Sequence, residues 1–176
     1  MGDPAPSKRV RAEAVFDDPL ILGLLDARLV GVFATLNRDG TIHAVPMWFA
    51  PHERSILLAT GSRSEKVANL EVDPRSTLVI HDSRSGYEVC GVSMSGYAEI
   101  VRGVDASPLV RLVHRRYIDE SREMPSAVRA FLESDDVALR FLPHSAFTWD
   151  QRETDANNAL RAAAGALPLL TTEARR

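Results

Sequence analysis

Short strand-like runs separated by turn signals dominate the hydrophobic pattern of the chain. Leu29 to Leu36 is apolar and β-branched in places, Asn37-Arg38-Asp39-Gly40 reads as a hairpin turn with Gly40 able to take positive φ, and Thr41 to Ala50 is the returning strand. Pro51 to Arg54 is the next turn and Ser55 to Thr60 the third strand. Ser76 to His81 reads as a fourth strand, Asp82 to Gly86 as a turn, and Tyr87 to Val101 as a long fifth strand whose Gly91 and Gly96 suggest bulges or a tight bend. The strand pattern returns at Val137 to Leu142 and Ala146 to Trp149, divided by Pro143.

Helical spacing interrupts this series at a few places. Asp18 suits an N-cap with Pro19 at the first helical position, and Leu20, Leu24 and Leu25 form the stripe such a helix buries. Ser107 to Ile118 carries Leu109, Leu112, Val113 and Tyr117 at helical intervals, and Met124 to Leu132 carries Val128, Phe131 and Leu132. Met1 to Val15 reads as a flexible arm, 16–150 as the folded domain, and 151–176 as an Ala-rich helix and tail. Consecutive strands joined by short turns imply antiparallel pairing. Six or seven such strands with few helices close most easily into a small barrel, and the missing crossover helices argue against a doubly wound parallel sheet.

Between the third and fourth strands lies the segment richest in chemistry, Thr60-Gly-Ser-Arg-Ser-Glu-Lys-Val-Ala-Asn-Leu-Glu-Val-Asp-Pro-Arg75. Ser62 and Glu65 fit a capping box, which makes Ser62 the N-cap of a short helix that must stop before Pro74. Hydroxyls of Thr60, Ser62 and Ser64 and the cations of Arg63 and Lys66 crowd that helix start, a combination that suits a phosphate, although solvated caps of ordinary kind outnumber anion sites.

Composition narrows the function classes. With 176 residues, 45% hydrophobic and 26% charged, the chain has the profile of a globular domain with a core of its own. A net charge of −3 lacks the basic footprint of nucleic-acid binding. No stretch approaches the roughly 18 apolar residues of a membrane span, and the first residues lack the apolar segment of a secretory signal. A lone cysteine, Cys90, allows no internal disulfide and reads as a buried small hydrophobe, so the expected location is the cytoplasm. His43, His52, His81, His114 and His144 show no metal-ligand spacing, so no metal site is expected. No nucleophile elbow occurs. Arg111, Arg115 and Arg116 form either a solvated helix face or a patch for an acidic cofactor tail.

Gly40-Thr-Ile-His-Ala-Val-Pro-Met-Trp-Phe49, Ala59-Thr60, Lys66-Val-Ala-Asn-Leu70, Asp73-Pro-Arg75, Gly96-Tyr-Ala-Glu99 and Trp149-Asp150, in this order, resemble the pyridoxamine 5′-phosphate oxidase-like split β-barrel superfamily, in particular its flavin/deazaflavin oxidoreductases. The resemblance covers about Asp17 to Asp150. It implies an FMN-binding split barrel: mainly β, six to seven antiparallel strands, short flanking helices. It further implies a homodimer with FMN or deazaflavin F-420 at the interface and hydride transfer to or from a small molecule. By motif match Thr60, Ser64 and Lys66 carry the cofactor phosphate, Arg63 or Asn69 assists, and the ring lies along Val45, Pro46, Met47 and Trp48, with Trp149 near it. The chain departs from the B6 oxidase itself in placing Glu65, a negative charge, just before Lys66, and in lacking that enzyme's C-terminal Arg and His pattern. Vitamin B6 oxidation is therefore not expected. A non-catalytic barrel that holds flavin or haem is the alternative.

Overall fold

Turn chemistry sets the first hairpin. In the computed structural model, which describes residues 7–83, 89–121, 123–152 and 154–163, Gly40 takes φ 84° and closes the turn between β2 (Gly31–Leu36) and β3 (Ile42–Met47). The Asp39 carboxylate accepts both the backbone N–H of Thr41 at 2.9 Å and its hydroxyl at 2.6 Å, which fixes the register Leu36↔Ile42 through Gly31↔Met47. Further strands are β4 (Phe49–His52), β5 (Ser55–Gly61), β6 (Arg75–Ser83), β7 (Val89–Val101) and β8 (Asp136–Asp150), preceded by β1 (Lys8–Arg11).

These strands form one antiparallel sheet in the order β3-β2-β6-β7-β8-β5-β4. β5 pairs with the first half of β8 and β1 with the second half, so β1 is an eighth strand extending the same edge. β3 and β4 occupy opposite ends of this order, yet only Trp48 separates them in sequence. One residue spans at most about 3.6 Å. The two ends of the sheet must therefore meet, and the sheet curls into a barrel split at that seam.

The interior is filled by alternate residues of each strand. Phe33, Phe49, Ile56, Leu58, Leu78, Ile80, Met94, Leu139 and Phe141 are fully buried, with Phe33 and Phe141 in edge-to-face contact at 6.0 Å. Each such side chain stabilises the fold by roughly 1.5–3 kcal/mol relative to exposure. Helix α1 (Pro19–Asp26) adds Ile21, Leu24 and Leu25 to this core, and α2 (Glu65–Leu70) adds Val67 and Leu70. Helix α3 (Ala106–Tyr117) covers the outer face of β4 and β5, where Ala50, Leu57 and Val113 form a second small core. β5 is thus buried on both faces, which is why it reads Ile56-Leu57-Leu58-Ala59 without alternation. Helices α4 (Ser126–Leu132) and α5 (Asp155–Ala163) flank β8 in sequence.

Several expectations change in detail. Lys8–Arg11, read as part of a flexible arm, is a strand whose Lys8 ammonium reaches the Asp18 carboxylate at 2.6 Å. The returning strand breaks at Trp48, whereas the two strands expected around Pro143 are one. Only one of the two strand glycines marks a bulge, at Ser95/Gly96, where a Cβ on Gly96 would lie 2.3 Å from the Leu142 carbonyl oxygen. Gly91 instead makes room for the Trp149 indole. Ser62 is not the N-cap: α2 starts two residues later with Ser64 in that place, and the Ser62 hydroxyl donates to Asp135 at 2.5 Å. Leu112 faces solvent, and α3 buries Val110 and His114 in its place. The turn residues 84–88, and with them the expected strand start at Tyr87, lie outside the described residues, as does the end of the tail.

Two stability measurements follow from this architecture. The Asp18 carboxylate caps α1 by accepting the N–H groups of Leu20 and Ile21 at 3.0 and 3.2 Å. Burial pushes its pKa up, but hydrogen bonds from Lys8, Ile21 and Leu20 outweigh burial and hold it below the ordinary carboxylate value. Asp18→Ala should cost about 1 kcal/mol or more in urea unfolding at pH 7. A depressed carboxyl stabilises above its unfolded pKa, so the difference from wild type should shrink as pH falls through that range towards the lower folded value. Gly96→Ala, driven against backbone, should cost roughly 1–3 kcal/mol in the same assay.

Candidate functional site

The seam at Trp48 opens into a cleft of about 490 Å³ lined by Val30, Pro46, Met47, Trp48, Ala59, Thr60, Lys66, Val113, His114 and Phe131. Its walls come from the residue before β2, the end of β3 with Trp48, the outward face of β5, the first turn of α2 and one face each of α3 and α4. Its volume is in the range of small-molecule and cofactor sites.

One end is polar. The Lys66 ammonium donates to the Thr60 hydroxyl at 3.0 Å, and that hydroxyl donates to Ser64 at 3.2 Å. Lys66 is half-buried, and burial pushes its pKa down while neighbouring Glu65 opposes the shift. Among the described residues no carboxylate lies within ion-pair distance of the Lys66 ammonium. Glu65 turns instead to β3, with a carboxylate oxygen 3.5 Å from His43 Nδ1. The negative charge flagged in the sequence is thus directed across the helix start to the hairpin and leaves Lys66 the cation of the cleft.

The other end is aromatic. Trp48 stacks on Tyr117 at 4.8 Å with planes 4° apart, and Phe131 meets it edge-on at 6.0 Å. Tyr117 in turn donates its hydroxyl to the Leu29 carbonyl at 2.5 Å and accepts the Phe49 N–H at 3.3 Å, which pins α3 to both sides of the seam. Pro46 sits in edge strand β3, where its missing N–H leaves no gap in a ladder, and also lines the cleft.

The sequence-predicted residues divide accordingly. Pro46, Met47, Trp48, Thr60 and Lys66 line the cleft together, and Ser64 joins through Thr60. Val45 packs against the main core. Arg63 is exposed beside the polar end. The Asn69 amide is committed elsewhere, donating to Thr35 at 3.1 Å and Asn37 at 2.6 Å, which ties α2 to the first hairpin. Trp149 lies on the outward face of β8 beside Phe147 and over Gly91. Arg111 and Arg115 both pair with Glu120, and Arg116 caps the end of α1 through the carbonyls of Leu25, Asp26 and Ala27. An acidic tail therefore finds none of the three arginines unengaged.

Sequence reasoning did not assemble Val30, Ala59, Val113, His114 and Phe131 into the site. The available signal was His114 itself, a polar residue on the same helical face as Val110, Val113 and Tyr117. Among the described residues, no three His, Cys, Asp or Glu side chains group to hold a metal, and no helix is long and apolar enough to cross a membrane.

The half-buried cation, with two hydroxyls beside it at the end of an apolar aromatic slot, has the chemistry to hold a phosphorylated flat heterocycle. Comparison with known proteins agrees with that architecture. A conserved hypothetical protein of Mycobacterium tuberculosis, Rv2991, is 29% identical, with a TM-score of 0.63 over 75% of this chain and 83% of its own. An F-420 reductase is 25% identical, with a TM-score of 0.54 over 70% of this chain and 93% of its own. HutZ, the heme storage protein of Vibrio cholerae, shares the fold alone at 14% identity, with a TM-score of 0.56 over 72% and 89% of the two chains. No curated protein matches the sequence. The family model described as pyridoxamine 5′-phosphate oxidase matches residues 18–143, and the chain belongs to that family.

Proposed function

We propose that the protein is a flavin- or deazaflavin-dependent oxidoreductase that binds FMN or F-420 in the cleft at Trp48. In this reading it acts on an unidentified small molecule in the cytoplasm. The observation that carries it is Lys66, a half-buried cation without a carboxylate partner among the described residues and already hydrogen-bonded to Thr60. A phosphate there recovers the charge interaction that burial otherwise costs. Thr60 and Ser64 add hydroxyl donors, and Arg63 supplies a second cation from the exposed side.

The bound ring would supply the hydride chemistry, and the protein orients and shields it. Pro46, Met47 and Trp48 form one wall for it, and Val113 and Phe131 keep the opposite side apolar. The similarity to an F-420 reductase supports an oxidoreductase over a passive carrier. A homodimer belongs to the same proposal. β3 is an edge strand whose Ile42 is 73% exposed, and Val32 and Phe147 lie exposed on β2 and β8. An exposed edge with apolar neighbours favours association with a second copy. Asn69 and Trp149 then serve the site at a distance, the first by holding α2 in place and the second from the outward face of β8.

Trp48 makes binding measurable without a known substrate. Titration with FMN and with F-420 should give saturable quenching by at least one of them. Lys66→Ala should weaken that binding roughly 10- to 100-fold, the loss of a hydrogen bond to a charged group worth about 1.5–3 kcal/mol, without lowering the melting temperature. Unchanged affinity in Lys66→Ala, or no binding of either compound to wild type, would reject the site. Tight binding without any cofactor-linked turnover would favour the carrier reading.

A further inference from the structure

Two cavities meet at one side chain. The cleft at Trp48 and a second cavity of about 380 Å³ behind α3 share a single lining residue among those described, His114. The second cavity is polar, with Arg111, Glu120, Arg129, Glu133 and Asp136 on its walls. His114 is nearly sealed from solvent, its side chain 4% exposed, and its Nε2 lies 3.5 Å from a carboxylate oxygen of Asp136, itself only 10% exposed. On the cleft side the imidazole packs against Phe131 at 5.1 Å and edge-on to Trp48 at 6.5 Å. Packing alone would be served as well by an apolar side chain, because a buried histidine and carboxylate both give up hydration.

We propose that His114, backed by Asp136, is the proton carrier of the cleft, exchanging with bulk water through the second cavity. The inference rests on the hydride-transfer reading above. When a substrate H–C–O–H loses its carbon hydrogen as hydride to the oxidised ring, the C–O bond becomes C=O and the hydroxyl proton needs an acceptor. The imidazole takes that proton, Asp136 stabilises the imidazolium so formed, and water in the second cavity removes it. The reverse reaction returns hydride from the reduced ring and the proton from His114. Burial pushes the His114 pKa down while Asp136 and Glu120 oppose it, so the resting imidazole is neutral and ready to accept. The charged groups around it are Asp136 from β8, Glu120 from the segment after α3, Arg111 from its own helix, Arg129 from α4, Glu133 just after α4, and Lys66 across the cleft.

The test uses the full chain with His114→Gln and, since a buried substitution risks misfolding, Asp136→Asn as an independent variant. In cofactor-free protein, histidine NMR should show a resonance titrating below the usual histidine range, lost in His114→Gln and moved lower still in Asp136→Asn. In protein loaded with chemically reduced cofactor, single-turnover reduction of an activated ketone, 2,2,2-trifluoroacetophenone, to its alcohol should slow by about 10²-fold or more in His114→Gln, and its pH dependence should flatten. FMN or F-420 should still bind saturably to Asp136→Asn, whose carboxylate lies behind His114 in the second cavity and outside the cleft, so a slower transfer there is separable from lost cofactor. Unchanged rate and pH profile in His114→Gln, a wild-type rate no faster than free reduced cofactor, or no such titrating histidine overturns this role while leaving cofactor binding intact. Failure of wild type to bind either cofactor removes the oxidoreductase reading itself and this role with it.

Discussion

A single residue between two strands at opposite ends of the sheet is the constraint from which the rest follows. Because Trp48 alone joins β3 to β4, the sheet cannot lie open. Its ends are drawn together, its alternate residues point into a common interior, and a seam remains where the ladder changes partner. Backbone at a seam is not committed to a neighbouring strand, so the place that closes the barrel is also the place where a ligand can approach. The proline one position before Met47 lies in that edge strand, at one of the few positions in a sheet where it costs little.

Helix α3 turns the seam into a walled site. It packs on the outer face of β4 and β5 through Val113 and is fixed at its end by two side chains that reach across the fold. Tyr117 satisfies backbone groups on both sides of the seam and stacks on Trp48, while Arg116 caps α1 and lies over the Phe49 ring at 5.4 Å. These ties hold the aromatic wall at a fixed separation from Lys66. They also consume Arg116, since a carbonyl cluster at a helix end is itself a good partner for a guanidinium, while Arg111 and Arg115 pair with Glu120.

At the opposite end the electrostatics is set by which charges find partners. Glu65 and Lys66 are adjacent in sequence but point to different neighbours, the carboxylate to His43 on β3 and the ammonium to Thr60 on β5. Adjacent helical residues do not face each other, so the two charges are separated by geometry instead of neutralised. The buried Asn69, bonded to Thr35 and Asn37, keeps α2 seated on the hairpin and so maintains that separation. The same principle, a polar group held by partners from distant elements, places His114 and Asp136 together between the two cavities.

By itself the sequence determined the features that local chemistry controls. The Asp18 cap, the Gly40 turn, the antiparallel barrel of short strands and the cluster of Thr60, Ser64 and Lys66 were legible because capping, positive φ, turn spacing and short sequence separation act within a few residues. Tertiary structure decided the rest. Where α2 begins depended on Ser62 being drawn to Asp135, far along the chain, and the order of strands depended on a break at Trp48 that strand propensity does not mark. Asn69 ties α2 to the first hairpin because its partners, Thr35 and Asn37, lie there, far from it in sequence. His114 joined the cleft because α3 docks with that face inward, and Phe131 because α4 folds over Trp48. Local interactions fix the elements, but a site built from six segments of one chain exists only once their packing fixes the distances between them.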